Sequence, residues 1–321
     1  MAVIDAIRPP LAVFGIQPEE VLPYVDTDYP GVAVLLAGTF SQGLATPTSD
    51  VDFLVIYPAS VRVGGLFPTT GNESANTEPR RSFDHSFPRD HLLVINRETP
   101  QHRKVQSYVT RADYLERFQD DVRSRNDPFR ARIAEQGGNH REGRMLDRTS
   151  HVLLHRLYTG IPIVNSDEIG RLVSRLSVDE LCANVSSRET TEIQCYFSDI
   201  EGLLAAPGRT DEIAIEFIIQ RIHYHLAIVL LASIGEFSPR EKLVYRLLQR
   251  NSQIIGQAVV DDFFLSLSST RDRTLRSPLS IREFVASVMQ RTPSIKDLVR
   301  AEYRQWLSET NYAPYQLVTA S

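Results

Sequence analysis

The sequence has few cysteines, no long apolar run and no excess of positive charge. Two cysteines, Cys182 and Cys195, among 321 residues exclude a disulfide-rich scaffold. The longest apolar stretch, near Leu226–Ser233, is about eight residues, whereas a membrane-spanning helix needs about 20. We therefore expect no transmembrane segment. The formal net charge of −5 argues against broad, non-specific binding of nucleic acid, which needs a large positive field.

The N-terminus and the composition exclude several other classes of protein. The chain starts without the basic segment and continuous apolar run of a secretory signal, so we expect a soluble, cytoplasmic protein. A content of 42% hydrophobic and 23% charged residues is typical of globular chains. It excludes a chain that is disordered throughout, a collagen-like fibre and a long coiled coil. The length predicts two domains with a substantial core.

The first third of the chain has the pattern of a buried β-sheet. Short apolar runs at Val32–Ala37 and Val51–Tyr57 predict two strands, and His91–Asn96 and Lys104–Thr110 predict two more. The polar, proline-containing linker between the last two runs predicts a hairpin. Residues 58–89 are rich in Pro, Gly, Ser and Thr and predict a long loop. A loop of this kind either covers a substrate or is disordered or decorative, and both interpretations stay open.

Beyond residue 111 the apolar residues recur with the period of an α-helix. The predicted helices are Arg111–Arg123, Met145–Tyr158, Val178–Val185, Arg188–Ala205, Asp211–Ser233, Pro239–Gln249, Ile255–Ser266, Ile281–Gln290 and Ile295–Ser308. Arginines between residues 123 and 156, among them Arg156, alternate with acidic residues. This mixture predicts a solvated helical surface, with a phosphate-binding cleft as the alternative. The expected fold class is α/β (α+β): a mixed sheet domain at residues 1–135, then an all-α helical domain at residues 136–321.

Residues 36–56, LAGTFSQGLATPTSDVDFLVI, place two carboxylates close together at a predicted strand. Side chains alternate between the two faces of a strand, so Asp50 and Asp52 project on the same side. Two neighbouring carboxylates repel each other, and a divalent cation between them removes that penalty. Oxygen ligands of this kind suit Mg²⁺, which also keeps waters and substrate phosphates in its shell.

A glycine-containing turn precedes the two carboxylates. Gly38 and Thr39 offer backbone N–H groups and a hydroxyl to an anion. Glycine at positions 38 and 43 allows a phosphate to approach the backbone closely. The turn and the carboxylates together are the parts of a phosphoryl- or nucleotidyl-transfer site.

This segment resembles the signature of the nucleotidyltransferase superfamily, whose fold is shared with DNA polymerase beta. That signature consists of Gly-Ser, a spacer, and Asp-x-Asp in an apolar strand. The matching residues are Gly38, Gly43, Ser49, Asp50 and Asp52. Thr39 stands where the family usually has serine and retains the hydroxyl. The spacer ATPTSD is typical of small antibiotic-modifying nucleotidyltransferases. The alternative is that this segment is only a polar turn between two core strands and has no catalytic role.

The resemblance implies a nucleotidyltransferase-like sheet domain and a Mg²⁺-dependent enzyme. The catalytic residues implied are Asp50 and Asp52, which would hold Mg²⁺. The nucleotide-binding residues implied are Gly38, Thr39, Gly43 and Ser49. The implied reaction transfers a nucleoside monophosphate, AMP from ATP, to a small-molecule acceptor in antibiotic modification or natural-product biosynthesis. Positioning and charge neutralisation would supply most of the acceleration.

The predicted strand Lys104–Thr110 departs from the family pattern. The family usually has a third carboxylate on this strand, whereas Gln106 occupies the position expected to be acidic. The base can come from elsewhere, with Asp84, Asp90 or Glu98 near in sequence. Alternatively, the acceptor needs no strong deprotonation, or the protein binds nucleotide without catalysing transfer.

The segment Gly235–Arg250 predicts a capped helix with a phosphate-binding lysine. In several branches of the superfamily a lysine on a helix of the second domain contacts the triphosphate, and Lys242 is the candidate here. Its point charge would offset the phosphate charge as pyrophosphate leaves, and a solvent-facing basic helix is the alternative. We expect the active cleft between the two domains. Transfer to protein or RNA is a further alternative, as is a regulatory protein that has lost activity, and the sequence does not indicate an oligomeric state.

Overall fold

A mixed five-stranded sheet organises the N-terminal part of the computed structural model. The strands are β1 (Ala33–Ala37), β2 (Val51–Tyr57), β3 (Leu93–Glu98), β4 (Lys104–Arg111) and β5 (Ile161–Val164), in the spatial order β3-β4-β2-β1-β5. Strands β2 and β4 run parallel, and the other neighbouring pairs run antiparallel. The structure describes residues 2–25, 27–61, 92–135, 148–205, 212–237, 241–271, 278–292 and 294–295.

α-Helices precede, interrupt and follow the sheet along the chain. They are α1 (Ala2–Ala12), α2 (Pro18–Val21), α3 (Gly38–Ser41), α4 (Ala112–Glu135), α5 (Arg148–Thr159), α6 (Ser166–Ser174), α7 (Val178–Ala205), α8 (Glu212–Ala232), α9 (Val244–Arg250), α10 (Ser252–Ile255), α11 (Gln257–Arg271) and α12 (Pro278–Arg291). Short 3₁₀ turns are formed by Leu22–Tyr24 and Glu241–Leu243.

The chain divides into two compact units, each built from two chain segments. The first unit comprises Met1–Asp121 and Leu146–Ser177, and the second comprises Val122–Met145 and Val178–Ser321. The predicted domains, residues 1–135 and 136–321, differ from this division. The reason is β5, which pairs antiparallel with β1 and so adds a later piece of the chain to the sheet.

One face of the sheet packs into a buried apolar cluster, and the other face carries the motif carboxylate. On the first face, Val34 of β1 and Phe53 of β2 join a buried cluster with Ile7 of α1. Helix α5 packs against β1 and β2. Asp52 is two positions before Leu54 and therefore shares the second face with it. The predicted carboxylate thus lies on a covered part of the sheet.

The structure confirms the predicted fold class and the four predicted strands. The predicted hairpin between β3 and β4 is also present, closed by a hydrogen bond from the Thr99 N–H to the Arg103 carbonyl. Strand β5 was not predicted, because it is four residues long and contains Pro162, which argues against a strand.

The helical predictions differ from the structure mainly at element boundaries. The predicted helices 178–185 and 188–205 form one continuous helix, α7. The predicted helix 239–249 begins as the 3₁₀ turn Glu241–Leu243 before α9. Helix α1 was not predicted, and it contains Pro9 and Pro10. Most of the predicted loop 58–89, together with Asp84 and Asp90, lies outside the described residues, as does nearly all of the predicted helix 295–308.

Helix α8 is a core element of the second unit, buried from Ile222 to Ala232. Within the described part of the chain, it is the one helix long and apolar enough to cross a membrane by length and composition, with a mean hydropathy of 1.4. The apolar-run argument did not anticipate this, because the run is interrupted by His223 and His225. Core helices of soluble proteins meet the same criteria, and 56% of the apolar window is buried inside the protein.

Candidate active site

Asp52 lies directly against Gly38, where β2 passes the end of β1. The antiparallel register pairs Ala37 with Asp52 and so brings the turn after β1 beside the carboxylate. The Asp52 side chain is fully buried. Gly38 has a φ of +70°, and a Cβ at this position would lie 2.1 Å from Asp52 Oδ2. Glycine is therefore required here both by the backbone conformation and by the space that the carboxylate occupies.

Thr39 places a buried hydroxyl in the same turn. The residue is 1% exposed, and its Oγ1 has no hydrogen-bond partner in the described part of the protein. The backbone around it is fixed, since the Leu44 N–H donates to the Thr39 carbonyl at 2.8 Å. A buried hydroxyl without a partner costs about 1–3 kcal/mol. A ligand oxygen beside this hydroxyl would remove that cost, and the predicted contact of Thr39 with nucleotide stays a prediction.

Ser49 organises the loop that leads into β2. Its Oγ accepts a hydrogen bond from the Thr46 N–H at 2.8 Å and lies 3.0 Å from Thr46 Oγ1. The Ser49 hydroxyl thus stabilises the turn, and its predicted contact with nucleotide stays a prediction. Asp50 follows directly and is half-buried, whereas Gly43 is exposed with a φ of +66°.

Gln106 is the register partner of Asp52 on the parallel strand β4. This is the position at which the resemblance predicts a third carboxylate. Both ends of the amide are engaged: Nε2 donates to Asn96 Oδ1 and Oε1 accepts from the Tyr108 hydroxyl, each at 2.6 Å. Gln106 therefore belongs to a polar row across three strands.

Arg156 of α5 supplies a positive charge to Asp52, a contact that sequence reasoning missed. The predicted solvated surface is wrong for this residue, because its side chain is 4% exposed. Its Nη1 lies 3.7 Å from Asp52 Oδ2, and its guanidinium carbon lies 3.7 Å from the centre of the Tyr108 ring. Leu153 lies three residues before it and Gly160 four residues after it, a spacing that places Arg156 on the packed face of α5. From that spacing the burial of Arg156 could have been predicted.

The donor set fits one Mg²⁺ that completes its shell with other ligands. Asp50 and Asp52 supply hard carboxylate oxygens, and Mg²⁺ usually takes one or two carboxylates together with waters and phosphates. Across the described ranges, no group of three or more Asp, Glu, His or Cys side chains is arranged to hold a metal. A second metal ion with its own carboxylate is therefore not supported by these residues.

Lys242 and Glu98 are the two other predicted residues that the structure describes. Lys242 is exposed on the 3₁₀ turn of the second unit, and its contact with phosphate stays a prediction. Glu98 is half exposed at the end of β3, with Oε1 2.6 Å from His102 Nδ1. Strand β3 is two strands from β2, about 10 Å at the usual strand spacing. Glu98 is thus too far to replace the missing carboxylate directly.

Comparison with known proteins supports the resemblance. Residues 18–132 match the family model described as a nucleotidyltransferase domain, a segment that includes β1 to β4 and ends before α5. Among solved structures, a nucleotidyltransferase-like protein from Exiguobacterium sibiricum 255-15 is 14% identical, with a TM-score of 0.41, over 94% of this chain and 78% of that chain. No curated protein matches the sequence. The predicted nucleotidyltransferase resemblance is confirmed.

Proposed function

We propose that the nucleotidyltransferase domain carried by residues 18–132 transfers a nucleoside monophosphate, AMP from ATP, to a small-molecule acceptor. One observation carries the proposal: the Asp52 carboxylate lies against Gly38, and the next residue in the turn, Thr39, has a buried hydroxyl with no hydrogen-bond partner among the described residues. A carboxylate, a glycine without a side chain and a buried hydroxyl are together suited to a metal-bound polyphosphate. Antibiotic modification or natural-product biosynthesis, in the cytoplasm, is the proposed setting.

The residues around Gly38 would bind and orient the triphosphate. The Asp52 carboxylate fills the space where a Gly38 side chain would lie, so a phosphate would be bound by backbone N–H groups of the turn, and the Thr39 hydroxyl would donate a hydrogen bond to it. Asp50 and Asp52 would hold Mg²⁺, which supplies neutralisation of phosphate charge when it is bound. A triphosphate held this way presents its α-phosphorus in a fixed orientation, which is where such a site gains most of its rate.

The proposed reaction is a displacement at phosphorus. The acceptor oxygen forms a bond to the α-phosphorus as the bond from that phosphorus to the bridging oxygen of the β-phosphate breaks. Pyrophosphate leaves with the bonding electron pair, and the acceptor hydroxyl loses its proton to water. Asp50 and Asp52 are assigned to the metal, and no group of three or more acidic, His or Cys side chains that could hold a metal is found among the described residues, so an acceptor that loses its proton readily suits the site best.

Gln106 favours a second candidate function, a nucleotide-binding regulatory protein without transfer activity. Its amide is engaged by Asn96 and Tyr108 and is a poor base and a weak metal ligand. Replacing Gln106 with Glu separates the two candidates. A higher transfer rate would indicate a degenerate catalytic site, whereas a lower rate would indicate that the amide already has a specific role. Transfer to protein or RNA is the alternative for the acceptor.

Calorimetric titration with a non-hydrolysable ATP analogue, with and without Mg²⁺, tests the proposal. We expect Mg²⁺-dependent binding by the native chain and its loss in Asp50→Ala and Asp52→Asn. Asp28→Asn, an exposed site in the same unit, is the matched control and should bind like the native chain. Absence of binding to all four nucleoside triphosphates would contradict both candidate functions.

A further inference from the structure

The Asp52 site has a neutral Gln106 at the position of the family's third carboxylate and, in addition, a positive charge from Arg156 of α5. Asp50 and Asp52 contribute two carboxylates, Gln106 is neutral, and Arg156 lies 3.7 Å from Asp52. The formal charge of this group of four residues is thus −1. A site with three carboxylates and no arginine would have a charge of −3. The difference is large enough to change how a divalent cation enters.

The surroundings hold Arg156 in this position. Its guanidinium lies over the Tyr108 ring, and a stacked, desolvated cation of this kind is stabilised by the ring electrons. The Tyr108 hydroxyl donates to Gln106 Oε1, and the Gln106 amide donates to Asn96. With 4% of its side chain exposed, Arg156 cannot leave for solvent without opening α5. The charge is therefore a permanent part of the site.

We propose that Arg156 is a positioning residue that prevents Asp50 and Asp52 from retaining a divalent cation on their own. The cation then enters together with the triphosphate, whose negative charges offset Arg156 and whose oxygens supply the missing ligands. The second half of this inference rests on the proposed function, whereas the first half concerns the protein and the metal alone.

The size of the effect follows from electrostatics. At about 5 Å, and even in water-like surroundings, repulsion between a guanidinium and a divalent cation lowers metal affinity about tenfold. In a site with less water the effective dielectric constant is lower, and the repulsion between the guanidinium and the cation is stronger. Arginine keeps its charge at every accessible pH, so the suppression of metal binding does not depend on pH.

Titration with Mn²⁺ alone, followed by the electron paramagnetic resonance signal of the free ion, tests the first half. Arg156→Gln should bind Mn²⁺ at least about tenfold more tightly than the native chain. Arg156→Lys keeps the charge and should behave like the native chain. Arg175→Gln removes a partly exposed arginine of the same unit that pairs with Asp120, and it should leave Mn²⁺ binding unchanged. Equal or weaker Mn²⁺ binding by folded Arg156→Gln would overturn the proposal, as would tight binding by the native chain.

A second variant keeps the test decisive if Arg156→Gln fails to fold. Gln106→Glu adds a carboxylate in register with Asp52 while Arg156 remains, and it should also gain affinity for Mn²⁺ alone. The double variant Gln106→Glu/Asp52→Asn should lose this increase in Mn²⁺ affinity. If Gln106→Glu alone binds Mn²⁺ no more tightly than the native chain, the net charge of the site does not control metal binding and the proposal is refuted. Repeating the native titration with the ATP analogue tests joint entry. If no nucleotide binds, the proposed function fails while the Mn²⁺ comparison still decides the role of Arg156.

Discussion

Each unit buries a carboxylate beside an arginine, and the two carboxylates differ in how they are bonded. In the second unit, Glu189 of α7 accepts hydrogen bonds at Oε1 from Arg188 Nε and Nη2, at 2.9 and 2.6 Å. Its Oε2 lies 2.5 Å from His225 Nδ1 of α8. In the first unit, Arg156 approaches Asp52 only to 3.7 Å, beyond hydrogen-bond distance. Glu189 is thus held by direct hydrogen bonds from its ion-pair partners, whereas the ion pair between Arg156 and Asp52 is longer than a hydrogen bond.

The comparison shows that a buried charged side chain can either stabilise the fold or bind a ligand. Burial raises the pKa of Glu189, but the hydrogen bond from His225 and the charge of Arg188 outweigh it and hold that pKa below its usual range. Such a carboxylate stabilises the fold as long as it is charged. Asp52 lies instead against Gly38, which is followed by the Thr39 hydroxyl, a buried group with no hydrogen-bond partner in the described ranges.

The largest expected effect comes from Gly38→Ala. The new Cβ would lie 2.1 Å from Asp52 Oδ2, so the carboxylate or the turn must move, and the positive φ adds strain. We expect loss of Mg²⁺-dependent nucleotide binding and a loss of several kcal/mol in stability, about 3 or more. Isothermal calorimetry and urea unfolding measure the two effects.

Gly43→Ala is the matched control for this substitution. Gly43 has a similar φ of +66°, but no atom lies within 4 Å of a Cβ placed there. We expect a loss of about 1 kcal/mol from backbone strain alone, well below the loss in Gly38→Ala. Equal losses in the two variants would show that the contact with Asp52 is unimportant.

Glu189→Gln should destabilise the second unit without affecting nucleotide binding. It leaves Arg188 and His225 without their charged partner, and breaking a buried pair in this way costs about 3 kcal/mol. Urea unfolding of the full chain measures the loss. Arg221→Gln removes a nearby exposed arginine and should change stability by less than about 0.5 kcal/mol. Loss of nucleotide affinity in folded Glu189→Gln would place this cluster in the binding machinery.

Thr39→Val should weaken nucleotide binding about tenfold, because a hydrogen bond to a charged phosphate is worth about 1.5–3 kcal/mol. Stability should stay constant or rise, because the buried hydroxyl that has no partner is removed. Thr39→Ser keeps the hydroxyl and should bind like the native chain. Calorimetry and thermal melting separate the two effects. A fall in stability with unchanged binding would assign Thr39 to the fold.

The smallest expected effect is a pH dependence set by His223. Burial lowers the pKa of His223 below its ordinary value of 6.5, although the hydrogen bond to the Ile219 carbonyl opposes the shift. The unfolded chain therefore binds more protons just below pH 6.5, and the His223 contribution to stability is lost as the pH falls through this range. Urea midpoints measured between pH 8 and about 5 should decline in the native chain and less steeply in His223→Gln. Identical slopes would remove His223 as the cause. The lowered pKa of Glu189 adds a second loss below its ordinary value of 4.5.

The parts of the site that the sequence predicted depend on local rules. Alternation along the strand predicted Asp50 and Asp52 on one side, and the structure places Asp52 in β2 with Asp50 just before it. The family pattern selected Gln106, which the structure places in register with Asp52. The requirement for glycine at position 38 followed from the need for close approach, and the structure adds the carboxylate itself as the approaching group.

The missed parts depend on contacts between distant segments. Arg156 meets Asp52 because α5 packs on the sheet, and no local pattern in α5 indicates its partner on β2. Strand β5 is similar, since four residues with an internal proline become a strand only against the edge of β1. The pairing of Glu189 with His225 likewise joins two helices that were each predicted as elements without their mutual contact.

The late position of β5 has a consequence for the order in which the protein acquires its structure during synthesis. The edge of β1 stays open until Ile161–Val164 leaves the ribosome, because Val34 pairs with Val164. Such a distant pairing forms slowly, since a long loop must close before any contact repays its entropy. Arg156 lies just before β5 in the chain. During synthesis, Asp50 and Asp52 are therefore present before the arginine that offsets their negative charge. A fragment that stops at residue 135 would keep the exposed strand edge and be prone to aggregation.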